Sequence, residues 1–191
     1  MDIGVLGLQG DVTEHVTMLM KILKKEEIHV VKTRKEIESL DGLIIPGGES
    51  TTIEKLMKNH GIDTAIKNRH PPIFGTCAGS ILLAKKIVNS KQSSLKLMDI
   101  KIERNAYGNQ SESFEIRINI PILGKNPFKA IFIRAPIIRE VDKEVEILAE
   151  YRGNPILARQ DQYFVSSFHP ELTNDIRIHK YFITEVVKCA A

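Results

Sequence analysis

Along the first half of the chain, short β-branched runs are each followed by a stretch with helical spacing of its apolar positions. This is the pattern of a parallel sheet covered by helices. Asp2 to Leu8 (DIGVLGL) reads as the first strand and Gln9-Gly10-Asp11 as a polar turn. Val12, Val16, Leu19, Met20 and Leu23 then recur on one face, which predicts an amphipathic helix over 12–23. Ile28 to Val31 is a second strand, Lys35 to Ser39 a short charged stretch, and Gly42 to Pro46 a third, buried strand closed by Gly47-Gly48. Thr51 and Glu54 have the spacing of a capping box, so a helix starts near Ser50. After a loop at Pro71-Pro72, Ile73 to Thr76 is a fourth strand and Ala78 to Lys86 a helix.

Beyond the polar loop Asn89 to Ser94 the pattern changes to segments read as strands, at 99–104, 113–120, 129–134, 145–151, 155–159 and 163–167. Turns such as Gly124-Lys125-Asn126-Pro127 and Gly153-Asn154-Pro155 join them. Thr173 caps a last helix over 174–188, with Ile176, Phe182, Ile183 and Val186 in its apolar stripe. With no repeat, low-complexity tract or boundary in between, residues 1–191 are expected to form a single α/β domain. Its central sheet is expected to be mostly parallel, with helices on both faces and a small antiparallel layer.

Composition narrows the functional classes. With 42% hydrophobic and 27% charged residues, the chain is outside the range of disordered proteins. A net charge of +3, from 27 Lys+Arg against 24 Asp+Glu, gives no electrostatic basis for a nucleic-acid partner. No run approaches the ~20 apolar residues of a membrane span. Met1 leads straight into a strand without a basic leader, so a cytoplasmic location is expected. Cys77 and Cys189 are a poor disulfide framework, and with no CxxC or HxxxH pair there is no zinc motif and no metal site is expected.

The chemistry concentrates in two short segments. Gly75-Thr76-Cys77-Ala78-Gly79 is a G-x-C-x-G pattern between a buried strand and a helix, the context of a nucleophile elbow. A cysteine there sees the positive end of the helix dipole, which favours the thiolate. Phe168-His169-Pro170-Glu171 supplies a base and an orienting carboxylate at i, i+2 spacing, which an extended segment places on one face. An oxyanion hole would draw one amide from Ala78 and a second from the glycine-rich loop Pro46-Gly47-Gly48-Glu49-Ser50. That loop is no P-loop, because Gly-Lys-Ser/Thr does not follow, and the Gly4, Gly7, Gly10 spacing misses the dinucleotide fingerprint. His15, His29, His60, His70 and His179 lack a paired acid at a telling spacing and read as structural or surface residues.

Taken together, the segments Gly4 to Asp11 (GVLGLQGD) with Glu14-His15, Pro46 to Thr52 (PGGESTT) and Phe74 to Gly79 (FGTCAG) carry a resemblance. Glu103 to Gly108 (ERNAYG), Ser113 to Glu115, Phe132 to Pro136 (FIRAP) and Ser167 to Thr173 (SFHPELT) extend it over essentially the whole chain. The chain resembles the glutaminase subunits of pyridoxal 5'-phosphate synthase, within the triad (class I) glutamine amidotransferases. The resemblance implies a flavodoxin-like three-layer sandwich and a Cys77, His169, Glu171 triad that hydrolyses glutamine through a glutamyl thioester. It implies Gly48 and Ala78 as oxyanion donors and glutamine contacts from Gly48, Glu49, Ser50, Arg104, Ile133 and Arg134. It further implies ammonia transfer to a (β/α)8-barrel synthase subunit in a complex of twelve copies of each. That synthase makes pyridoxal 5'-phosphate, a product rather than a cofactor here, from a pentose phosphate and a triose phosphate. Gln9 and Gly10, beside the oxyanion loop, are the candidate sensors of the partner. Asn109 stands where the resemblance leads one to expect an arginine.

Other readings keep the same elbow: a glutaminase serving a different synthase, a cysteine peptidase, or a regulatory module without activity. Intact Cys77, His169 and Glu171 argue against the last, and glutamine tested against peptide amides separates the peptidase.

Overall fold

The computed structural model describes residues 1–106 and 113–190. In chain order its elements are β1 (Ile3–Leu6), α1 (Val12–Leu19), β2 (Ile28–Val31), α2 (Arg34–Ile37), β3 (Gly42–Ile45), α3 (Ser50–Asn59) and α4 (Ile62–Arg69). There follow β4 (Ile73–Thr76), α5 (Ala78–Leu83), β5 (Ala84–Ile87), β6 (Met98–Glu103), β7 (Ser113–Ile118), β8 (Phe128–Ile133) and β9 (Ile137–Val141). Then come β10 (Glu146–Tyr151), β11 (Asn154–Gln160), β12 (Tyr163–Ser166) and α6 (Arg177–Tyr181), which runs into a π-helical segment, Phe182–Val187.

A seven-stranded sheet in the order β10-β11-β12-β4-β3-β1-β2 forms the centre. Its strands from β12 to β2 pair in parallel, while β11 and β10 add an antiparallel margin. The inner parallel strands β1, β3, β4 and β12 are buried along their whole length because both faces are covered, while the edge strand β2 exposes Val30. Leu43, Ile45, Ile73 and Val165 enter one core with α3, α4 and α5, while the alternate positions Ile44, Phe74 and Phe164 enter the other with α1, β8 and the C-terminal helix. A three-stranded sheet, β5-β6-β9, and a β7-β8 hairpin pair make up the smaller layers. The α/β class with a mainly parallel sheet and a lesser antiparallel part is therefore as the sequence pattern predicts.

Several boundaries differ, each for a physical reason. The helix after Cys77 ends at Leu83 rather than Lys86, because Ala84–Ile87 pairs in parallel with β6 through Ala84 and Met98, and Ile87 and Ile102. α3 is not capped by Thr51 and Glu54: the Glu49 carboxylate accepts from the Thr51 and Thr52 amides, and Glu54 pairs with Lys58. The charged stretch near Lys35 is a helical turn capped by Thr33 and Glu36. α1 stops at Leu19, four residues short of Leu23. The last helix begins three residues later than expected, since Thr173 accepts from the Asp175 amide and Asp175 in turn from the Arg177 amide. No separate pattern predicts α4 or β9. Among the described residues, no helix is long and apolar enough to cross a membrane.

Candidate active site

Four parallel neighbours, β12, β4, β3 and β1, end side by side, and the loops leaving their C-terminal ends build the site. Open α/β sheets place sites at such strand ends. After β4 the chain turns sharply at Cys77, whose φ of 45° lies in the left-handed region that side chains rarely adopt. The turn is held by a Cys77 amide bond to the Ser166 carbonyl at 2.8 Å. α5 then runs so close to β3 that a Cβ on Gly79 would lie 2.1 Å from the Ile45 carbonyl oxygen, so only glycine fits there. Cys77 is left 7% exposed, and its Sγ is 3.9 Å from the Ile133 carbonyl.

His169 follows β12 and is anchored by its amide to the Ile131 carbonyl of β8 at 2.8 Å. Its Nδ1 donates to Glu171 Oε1 at 2.7 Å and also lies 3.2 Å from Asp11 Oδ2. The spacing of His169 and Glu171 thus works, but not through an extended segment: Pro170–Leu172 is a 3₁₀ turn, and that turn brings the carboxylate back under the ring. Burial disfavours the imidazolium, yet hydrogen bonds with Asp11, Cys77 and Glu171 outweigh it and push His169 up to about 12. Glu171 is buried, and burial raises its carboxyl above the ordinary range against the opposing bond from His169.

The turn after β1 packs flat on the glycine loop after β3. A Cβ on Gly10 would meet the Gly47 carbonyl oxygen at 1.7 Å, and φ there is +105°, so residue 10 must be glycine. The Asp11 amide donates to that same carbonyl, and the Gln9 side-chain oxygen accepts the Glu49 amide at 2.8 Å. Above this pair of loops opens a cleft of about 300 Å³. Cys77 and His169 lie in it together with Gly48, Glu49, Ser50, Ala78, Arg104, Ile133 and Arg134. Asn105 and Arg134, like Cys77, hold positive φ, so the backbone around the cleft is strained at three non-glycine positions. Arg104 pairs with Glu49 at 3.2 Å. Burial opposes the Glu49 charge, but the hydroxyls and amides of Thr51 and Thr52 hold its carboxyl at about 2.

A model of the SNO glutamine amidotransferase family matches residues 5–188. The chain belongs to that family. It is 52% identical over 191 residues to the pyridoxal 5'-phosphate synthase subunit PdxT of Thermotoga neapolitana, over 98% of this chain and 100% of that relative. With the same-named subunit of Pseudothermotoga lettingae the identity is 55% over 187 residues, covering 96% of this chain and 94% of that one. A solved structure described as a glutamine amidotransferase is 43% identical with a TM-score of 0.90, covering 97% of this chain and 98% of that one.

In this amidotransferase every candidate residue named from the sequence is in the cleft or touches its wall. Gln9 lines it, Gly10 lies beneath Gly47, and Glu171 lies behind His169. Asn109 lies outside the described residues. Sequence reasoning missed Asp11 as a second oxygen on His169; its position directly after a central strand was the available signal. Asp11, His169 and Glu171 offer donor atoms within 4.8 Å of one another. Nδ1 of His169 is the atom that faces both carboxylates, so a cation held there would compete with its hydrogen bond to Glu171. His15 and His179, read as structural, are both fully buried and adjoin the site. His29 pairs with Asp2 on the surface, and His70 with the Tyr163 hydroxyl.

Proposed function

We propose that this amidotransferase hydrolyses L-glutamine to L-glutamate and ammonia with Cys77 as nucleophile, His169 as acid and base, and Glu171 orienting the ring. The observation that carries the reading is the Cys77, His169, Glu171 array beside a cleft floored by Gly48 and Ala78. His169 already holds the Cys77 proton as an imidazolium, and the thiolate attacks the side-chain amide carbon. The oxyanion meets the Gly48 and Ala78 amides; Ala78 opens α5, where helix geometry leaves amides without an internal acceptor. His169 then gives its proton to the departing ammonia, leaving a glutamyl thioester. The same imidazole draws a proton from water as it attacks the thioester, releasing glutamate and restoring the thiolate and imidazolium. Glu49 and Arg104, paired with each other in the cleft lining, offer a carboxylate and a guanidinium that match the α-ammonium and α-carboxylate of an amino acid, with Ser50, Ile133 and Arg134 completing the contacts.

The names of the relatives support delivery of the ammonia to a pyridoxal 5'-phosphate synthase subunit, in vitamin B6 biosynthesis. The finer reading is a (β/α)8-barrel partner in a complex of twelve copies of each subunit, in the cytoplasm. Gln9 and Gly10 are the proposed sensors of docking, because Gln9 accepts the Glu49 amide and Gly10 lies against the Gly47 carbonyl that the Asp11 amide bonds. The test is labelling by an electrophilic glutamine analogue in the presence of the synthase subunit, read by mass spectrometry. One adduct at Cys77, suppressed by excess glutamine and absent from Cys77→Ala, is expected; no adduct at Cys77 overturns the reading.

A further inference from the structure

Behind the triad carboxylate, two buried imidazoles are left unused by the chemistry proposed above. Glu171 gives Oε1 to His169, while its other oxygen, Oε2, is buried without a hydrogen-bond partner inside ordinary limits. Nε2 of His15 on α1 lies 3.5 Å from it. That Nε2 is also 3.1 Å from Oγ1 of Thr76, the residue before Cys77. On its other side, Nδ1 of His15 is 2.9 Å from Nε2 of His179 on α6. Nδ1 of His179 has no hydrogen-bond partner among the described residues.

One proton lies between the two rings, and its position settles the tautomers. Burial holds both rings well below the ordinary histidine value, His179 at about 3 with Lys21 contributing, so each carries one proton. If His15 donated from Nδ1, the proton of His179 would sit on Nδ1, a buried donor with no acceptor. The His15 Nε2 lone pair would also face Glu171 Oε2, acceptor against acceptor. If His179 donates from Nε2 instead, both conflicts disappear. His15 then carries its proton on Nε2, between Thr76 Oγ1 and Glu171 Oε2, and the atom left alone on His179 bears a lone pair rather than a stranded hydrogen.

We infer that His15 is a positioning residue of the glutaminase, donating from Nε2 to the second oxygen of Glu171 and held in that tautomer by His179. The inference rests on the proposed glutaminase reading. Glu171 is faced by His169 and Asp11 on the cleft side and by His15 from α1. His15 is faced by His179 from α6, by Thr76 from β4, and by the field of His169. Lys21, two residues beyond α1, acts on His179. A neutral donor on Oε2 favours the carboxylate over the acid, and the carboxylate is what holds His169 as imidazolium. Removing that donor weakens the hold, so the imidazolium is lost at lower pH.

The experiment is glutamate release across pH, with the synthase subunit present, for the wild-type chain, His15→Leu and His15→Gln. A glutamine amide reaches the place of Nε2 and still donates. His15→Leu is expected to lower kcat by roughly tenfold with KM within about twofold, and to move the alkaline limb down by roughly 0.5–1 pH unit. His15→Gln restores most of both. An alkaline limb in His15→Leu that coincides with wild type overturns the inference. Where His15→Leu does not fold, ring ¹⁵N spectra of the unsubstituted chain decide. Protonation of His15 at Nε2 supports the inference, and protonation at Nδ1 overturns it. A wild-type chain that releases no glutamate counts against the glutaminase reading instead, while the His15 tautomer still decides this one.

Discussion

His169 carries the proton that glutamine hydrolysis has to move, and two carboxylates sharing its Nδ1 set how firmly that proton is held. Glu171 is the closer at 2.7 Å and buried, Asp11 the more distant at 3.2 Å and a third exposed. Glu171→Gln should therefore lower kcat by about 10²- to 10⁴-fold with little change in KM. Asp11→Asn should lower it by less than about tenfold, and steady-state kinetics at one pH compare them. An equal loss in the two variants would place the working hydrogen bond on Asp11. The neutral histidines behind the triad work in the opposite sense on stability. His179 binds its proton in the unfolded chain near pH 6.5 but in the folded chain only near 3, so acid favours unfolding across that window. Urea unfolding should show stability falling as pH drops from 6.5, by at most about 1.4 kcal/mol per pH unit for this proton. His179→Gln should flatten the slope; an unchanged slope would mean that His179 is not the titrating group.

Elements, rather than single side chains, fix the elbow. α5 can start at Ala78 only because Gly79 lets it lie against the Ile45 carbonyl of β3. Gly79→Ala should push helix and strand apart, lowering stability by about 3 kcal/mol or more and removing activity. Wild-type stability in that variant would show that the helix tilts away freely. The parallel strands were legible because a strand buried on both faces is a continuous apolar run, as in Gly42 to Ile45 and Ile73 to Thr76. β5 was not, since exposed Lys85 and Lys86 between buried Ala84 and Ile87 look helical until β6, which begins eleven residues after β5 ends, is there to pair with them. The candidate site was legible where its residues sit close in sequence, at Cys77 with its glycines and at His169 with Glu171. Asp11 and His15 were not, because their contacts to the triad cross about 155 residues and depend on β1 lying two strands from β4.

At the scale of the molecule, the sheet order β12-β4-β3-β1 brings His169, Cys77, the Gly47-Gly48 loop and the turn at Gln9 to one edge. The last two are bonded to each other, so a partner that moves the Gln9 turn also moves Gly48. Gln9→Ala should reduce the ratio of glutaminase rates with and without the synthase subunit by about fivefold or more, and an unchanged ratio would remove Gln9 as a sensor. The most direct measurement is glutamate release from glutamine by the wild-type chain and by Cys77→Ala, each with and without that subunit. Release that requires Cys77 and rises with the synthase is the expected result. Release that persists in Cys77→Ala, or none in any combination, would contradict a glutaminase built on this elbow.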